Sequence, residues 1–213
     1  MAGLRQRQAL ERNARILRAA QALFARKKGY RGTSMQEIAN RAQLAVGTLY
    51  NYYPSKSKIL LAIVARDTDE GLRAGETLLK RLPRNPARAV ESLIEQAVAP
   101  YAKHDRGLWR ELVAAAMTDP AFARVLFGSD LRQIALLATL LRALDARGDL
   151  RPGVDPGQAA IVLYSAFFTW FFAYLTDDGV ELADVREQLR QSVQLVLRGL
   201  LAPDLTKHRG ESS

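Results

Sequence analysis

A run of 21 consecutive residues without a single charged side chain, 156 to 176, restricts this chain more than any other part of it. A segment of that length and polarity is either a membrane span or a helix that other helices must cover. Its flanks reject the membrane. Pro156, Gly157 and Gln158 occupy its start, Asp155 and Asp177-Asp178 bracket it, no positive cluster marks one side, and no second such run exists. The expectation is a buried helix. The next segment, 181 to 202, places Leu182, Val185, Leu189, Val193, Val196 and Leu200 on one helical face, with Arg186, Glu187, Arg190 and Arg198 elsewhere.

Helical spacing continues throughout. Over 9 to 28, Ile16, Ala20, Leu23 and Phe24 form one face, and Gly29 ends it. Ser34 and Glu37 have the spacing of a capping box, followed by the short stripe Met35, Ile38, Ala39 and Ala42. A further short element runs from Ala45 to about Tyr53 and stops at Pro54. Ser55 then offers an N-cap for a long helix reaching Leu82, before Pro83. Helices follow at 86 to 104, with Pro100 kinking or ending the first of them, then at 106 to 118, 120 to 147, 156 to 176 and 181 to 202. No two-residue alternation appears, so the expected fold is all-α.

Zero cysteines exclude a disulfide scaffold, a thiol nucleophile and thiolate metal sites. Two histidines, His104 and His208, leave little for a metal, and no glycine-rich phosphate loop is present, so neither metal nor cofactor is expected. The first fifteen residues lack an apolar signal core, which points to the cytoplasm.

Charge is distributed unevenly. The net charge is +9, yet residues 1 to 66 hold 13 Lys and Arg against only Glu11 and Glu37, a local balance of +11. The remainder of the chain balances at −2. The first third therefore favours a polyanion. Two short helices joined by a tight turn and packed on a preceding helix, inside such a segment, are the parts of a helix-turn-helix. Gly47 and Thr48 keep the start of the second short helix small enough for close approach to base edges. Tyr50 and Tyr52 carry phenols long enough for phosphates, and Lys56 and Lys58 open the next helix beside them.

Thr33-Ser34, Ile38-Ala39, the run from Gly47 to Tyr53 and Ser55-Lys56 resemble the DNA-binding domain of the TetR family of transcriptional regulators, over roughly residues 10 to 62. The resemblance implies that Ser34 caps its helix near the DNA backbone, that Gln36, Val46, Gly47 and Thr48 lie nearest the bases, and that Tyr50, Tyr52 and Lys56 grip phosphates. The chain departs from the pattern at Gln43, where the family has a turn glycine, and at Ala45, where it has a capping Ser or Thr. Loss of such a cap costs about 1 kcal/mol. Leu49 and Tyr53 read as core.

Three segments are expected: a helix-turn-helix domain with a basic N-terminal arm at 1 to 54, a helical domain at 55 to 205 whose first part, 55 to 82, links the two, and a frayed tail at 206 to 213. The resemblance implies that the second domain binds an effector and dimerises through its last two helices. Tyr101, Trp109, Met117, Phe127, Tyr164, Phe167, Phe168 and Phe171 are the candidate walls of a pocket for an apolar or aromatic small molecule. The expected protein is thus a homodimeric repressor that binds a near-palindromic double-stranded DNA operator, is released by its effector, is not an enzyme and has no membrane partner. Two alternatives stay open: an enzyme with a spatially assembled site, and an architectural DNA binder without an effector.

Overall fold

A computed structural model describes residues 2–26 and 29–201. Lys27, Lys28, His208 and the tail expected at 206 to 213 lie outside the described residues. Among the described residues the fold is all-α, and extended pairing is limited to one isolated bridge between Leu150 and Leu201. The helices are α1 (Ala2–Phe24), α2 (Met35–Arg41), α3 (Val46–Tyr52), α4 (Lys56–Lys80), α5 (Pro86–Val98), α6 (Arg106–Thr118), α7 (Pro120–Ala146), α8 (Pro156–Thr176) and α9 (Leu182–Leu200).

The ends of these helices follow from local chemistry. Asn85 and Asp155 cap α5 and α8 with their side-chain oxygens, each directly ahead of a proline whose missing N–H costs nothing at that position. Ser55 Oγ accepts from the Lys58 N–H at 3.3 Å, as an N-cap should. One expectation is corrected. Helix α1 begins at Ala2 rather than 9 and stops at Phe24, because the chain then turns toward Gly29, whose φ is +60°. Of the two outcomes expected at Pro100, the helix ends there: α5 stops at Val98 and a 3₁₀ turn, Ala99–Lys103, takes the rest of the stretch, since a proline cannot supply the α-helical N–H.

By packing, the chain divides into two compact units. The first joins the chain up to Thr68 with Gly107–Gly128, and the second joins Asp69–Arg106 with the chain from Ser129 onward. The expected division at 54/55 therefore differs from the packing: α6 and the first turns of α7 belong with α1 to α3, while α4 and α7 each contribute to both units. In the first unit Ile16, Ala20, Ile38, Ala39, Leu49, Ile59 and Leu112 are completely buried, and Trp109 and Phe122 nearly so. Each large side chain removed from water in this way contributes about 1.5 to 3 kcal/mol.

The second unit is built on α5, α8 and α9. Val185, Leu189, Val193 and Leu197 form the inner face of α9, while Val196 and Leu200, expected there, are half-buried. Helix α8 is not apolar-and-covered all round. Its inner face buries Leu163, Phe167 and Phe171, but Ile161, Val162, Phe168 and Phe172 are exposed on the outer one. At Gly75, α4 lies so close to its neighbours that an added Cβ would fall 2.6 Å from the side chains of Leu93 and Leu136.

Candidate functional site

Helix α2 starts where Ser34 accepts from the Glu37 N–H and Glu37 accepts in return from the Ser34 N–H at 2.8 Å. It ends at Gln43, which adopts φ 55°. The Gln43 N–H reaches the Asn40 carbonyl and the Leu44 N–H reaches the Ala39 carbonyl, the two bonds of a Schellman ending. The turn is thus the one a glycine would make, with glutamine carrying the strain.

Helix α3 follows with no side-chain cap at Ala45. Leu49 is fully buried and is the anchor of α3, and Tyr53, just beyond, donates its hydroxyl to Asn13 Oδ1 at 2.6 Å. Opposite Leu49, Gly47, Tyr50 and Asn51 are exposed, with Val46, Thr48 and Tyr52 half-buried at the edges. A Cβ at Gly47 would meet nothing within 4 Å. Gln36 is exposed on α2, its amide donating to Asn40 Oδ1 at 2.8 Å. Ser34, Gln36, Gly47, Thr48 and Tyr50 are therefore placed around one helix-turn-helix. Asn51, absent from the sequence-based set, shares the outward face; its amide has the donor–acceptor pair that adenine takes, and its position on the short helix was the signal available.

Lys56 stands apart from the others. Its ammonium group donates to the carbonyls of Tyr30, Thr33 and Arg31 at 2.6, 2.8 and 3.2 Å, and lies 4.3 Å from the centre of the Tyr30 ring. All three of its protons are engaged in closing the turn between α1 and α2. A phosphate contact by Lys56 requires the group to leave these carbonyls. Burial pushes its pKa down, against the opposite pull of Glu111 and Glu37. Nearby, Arg31 pairs with Glu111 at 2.7 Å, and Lys58 pairs with Asp119 at 3.0 Å, so α6 and the start of α7 are tied by charge to the same turn and to α4.

Of the eight expected pocket residues, four come together in the second unit. The Tyr101 ring lies 4.7 Å from Phe167 and 5.0 Å from Phe171, and Tyr164 lies 5.8 Å from Phe167. Trp109, Met117 and Phe127 belong to the first unit. Trp109 is core there, whereas Met117 is 78% exposed. Phe168 is on the outer face of α8, one helical step of about 100° from Phe167.

Sequence reasoning missed the polar side of this cluster. Asp130 is buried, and one of its oxygens accepts from the hydroxyls of Tyr101 and, at 2.7 Å, Tyr164. Burial raises its pKa, with the two phenols acting in the opposite direction. One turn further along α7, Gln133 is 3% exposed and its Nε2 has no hydrogen-bond partner among the described residues. It lines a void of about 10 Å³ with Tyr164, Phe167, Leu93 and Leu137, roughly the room of one water molecule. Residues 129 to 133 read Ser-Asp-Leu-Arg-Gln, a polar string that carries no sign of its burial. A separate open groove of about 560 Å³ lies between α5 and α9, with Ile94, Val98, Leu189 and Val193 among its lining residues and Glu91, Glu95, Arg186 and Arg190 also lining it.

Residues 16–63 match the model of bacterial regulatory proteins of the tetR family, and residues 86–198 match the C-terminal model of BetI-type transcriptional repressors. The chain is 33% identical over 190 residues to the HTH-type transcriptional repressor KstR of Rhodococcus jostii, covering 88% of this chain and 83% of that one. It is 30% identical to KstR of Mycobacterium tuberculosis, over 88% of this chain and 81% of the relative. Among solved structures, the TetR-family repressor FadR of Thermus thermophilus, in complex with lauroyl-CoA, is similar with a TM-score of 0.68 and 27% identity, covering 90% of this chain and 96% of that one.

Proposed function

Because the chain belongs to the TetR family of bacterial regulatory proteins, and its relatives are transcriptional repressors, we propose that it is a cytoplasmic homodimeric repressor that binds a near-palindromic operator and is released by a small-molecule effector. The observation that carries the DNA half of this reading is the α2–α3 pair. Its capping box and Schellman turn define α2, and the buried Leu49 anchors α3, leaving Gly47, Tyr50 and Asn51 outward for the major groove. Ser34 takes the backbone end, and Gln36, Val46, Thr48 and Tyr52 complete the contact surface. The exposed Ile161, Val162, Phe168 and Phe172 of α8, with Leu195 of α9, supply an apolar face suited to a second copy and a four-helix interface. Dimer symmetry then sets the half-site spacing.

The effector reading rests on Gln133. A buried donor without a partner costs about 1 to 3 kcal/mol, a cost that a ligand oxygen would remove. With walls from Tyr164, Phe167 and Leu93, the site favours an apolar body bearing one oxygen acceptor, and the acyl chain and thioester carbonyl of a compound such as the lauroyl-CoA bound by the T. thermophilus relative meet that description. Entry requires the void to widen, and a coupling of about 1 to 3 kcal/mol to the DNA-competent shape changes operator affinity 5- to 150-fold. The small size of the void also favours one other reading, a DNA binder without an effector.

The test is the affinity of the purified protein for its own upstream DNA against scrambled DNA of equal length at fixed salt. A ratio of about 10³ or more supports a specific operator, and a ratio near one overturns it. Acyl compounds that raise the melting temperature and release the operator support the effector; compounds that do neither leave the DNA binder without one.

A further inference from the structure

We propose that the first turns of α1, residues 3 to 12, are a phosphate-contacting arm that lies along duplex DNA beside the recognition helix, a contact outside the family's DNA-binding domain. The proposal rests on the DNA-binding reading above. The family model begins at residue 16, so these turns precede the matched domain. They are nonetheless helical and continuous with α1, and residues 3 to 12 are exposed throughout. A segment of about 15 Å at 1.5 Å per residue therefore stands clear of the core.

Its position is fixed at the right place. Asn13, the next residue, accepts the Tyr53 hydroxyl at the C-terminal end of α3, so the arm departs from the level of the recognition helix. Two of its three arginines lie on one side. Arg5, Gln8, Arg12 and Arg15 fall at i, i+3, i+7 and i+10, one stripe along the helix, with Arg7 to the side. The arm's one acid, Glu11, approaches Arg7 at 3.8 Å and leaves the stripe uncompensated. A helix with side chains is about 10 to 12 Å across, too wide for a minor groove of about 6 Å. The arm therefore stays out of the minor groove, and its long arginine side chains are assigned to phosphates. Its apolar residues, Leu4 and Leu10, are six positions apart and point about 120° away from each other, so no apolar face exists for a lipid surface.

The experiment measures binding of three proteins to upstream and to scrambled DNA between about 50 and 200 mM salt. They are the wild type, the Arg5→Gln, Arg7→Gln, Arg12→Gln triple variant, and a charge-matched control with Arg73→Gln, Arg81→Gln and Arg84→Gln, all exposed in the second unit. The arm variant is expected to lose up to about 2.7 from the slope of log affinity against log salt per bound protomer, about 40-fold across that range. The loss should be equal on both DNAs, and the control should keep the wild-type slope. Deletion of residues 2 to 10 should reproduce the arm variant. A wild-type slope in the arm variant, an equal loss in the control, or a collapse of the upstream-to-scrambled ratio in the arm variant overturns the proposal. Arm-dependent binding to anionic phospholipid vesicles, with unchanged DNA slopes, overturns it in favour of a membrane. If the wild type shows no preference for upstream DNA while the arm variant still lowers the slope, the arm stands and the specific operator falls.

Discussion

Replacing Lys56 with methionine separates two roles that one lysine cannot fill at once. In the structure its ammonium group holds the carbonyls of Tyr30, Arg31 and Thr33 and covers the Tyr30 ring. Hydrogen bonds from a charged donor contribute about 1.5 to 3 kcal/mol each, but this side chain is only half-buried and water can take over part of each carbonyl. We count the three bonds as one fully realised interaction, about 2 to 3 kcal/mol. For a chain of this size each kcal/mol moves the melting temperature by about 2 to 4 °C, so Lys56→Met should lower it by about 5 to 10 °C. Operator affinity should fall by the same factor at every salt concentration, because a loosened turn misplaces α2 without removing a phosphate contact. Lys56→Arg should not restore stability, since a planar guanidinium cannot converge on three carbonyls as an ammonium does. Thermal melts and salt titrations of both variants decide the matter. A wild-type melting temperature in Lys56→Met, joined to a slope reduced by about 0.9, would show that the ammonium serves a phosphate and would refute the clamp.

Two further outcomes follow from the geometry. Gln43→Gly relieves a left-handed residue in the Schellman turn and should raise stability by about 1 kcal/mol in a denaturant titration; an unchanged or lower midpoint contradicts the strain. Asp130 has its pKa raised by burial, so its ionisation opposes folding above the ordinary value of 3.8. As pH falls from the raised value toward 3.8, wild type should gain stability relative to Asp130→Asn, and a relative loss on acidification would contradict that environment.

What could be read from the sequence was local. Ser34 and Glu37 find each other within one turn, and Pro86 and Pro156 act on their own helices, so these ends were visible in residue order alone. The strain at Gln43 was visible too, because the family pattern places a glycine there. The hold of Lys56 on the turn was not legible, because its three carbonyls lie 23 to 26 residues back, in a turn whose approach depends on packing. Asp130 was invisible for the same reason: its burial is decided by Tyr101 and Tyr164, 29 and 34 residues away. Helix periodicity found α6 but not its place with the first unit, since a face states only that something must cover it.

Helix α3 is joined to the core by the buried side chain of Leu49. Fold and readout are thereby separated within seven residues. Gly47, Tyr50 and Asn51 are exposed, and a Cβ at Gly47 would meet nothing within 4 Å, so a lineage carrying this gene can drift through many operator preferences without passing through an unfolded intermediate. A duplicated copy could acquire a new set of target promoters by a few surface changes while inheriting its stability intact.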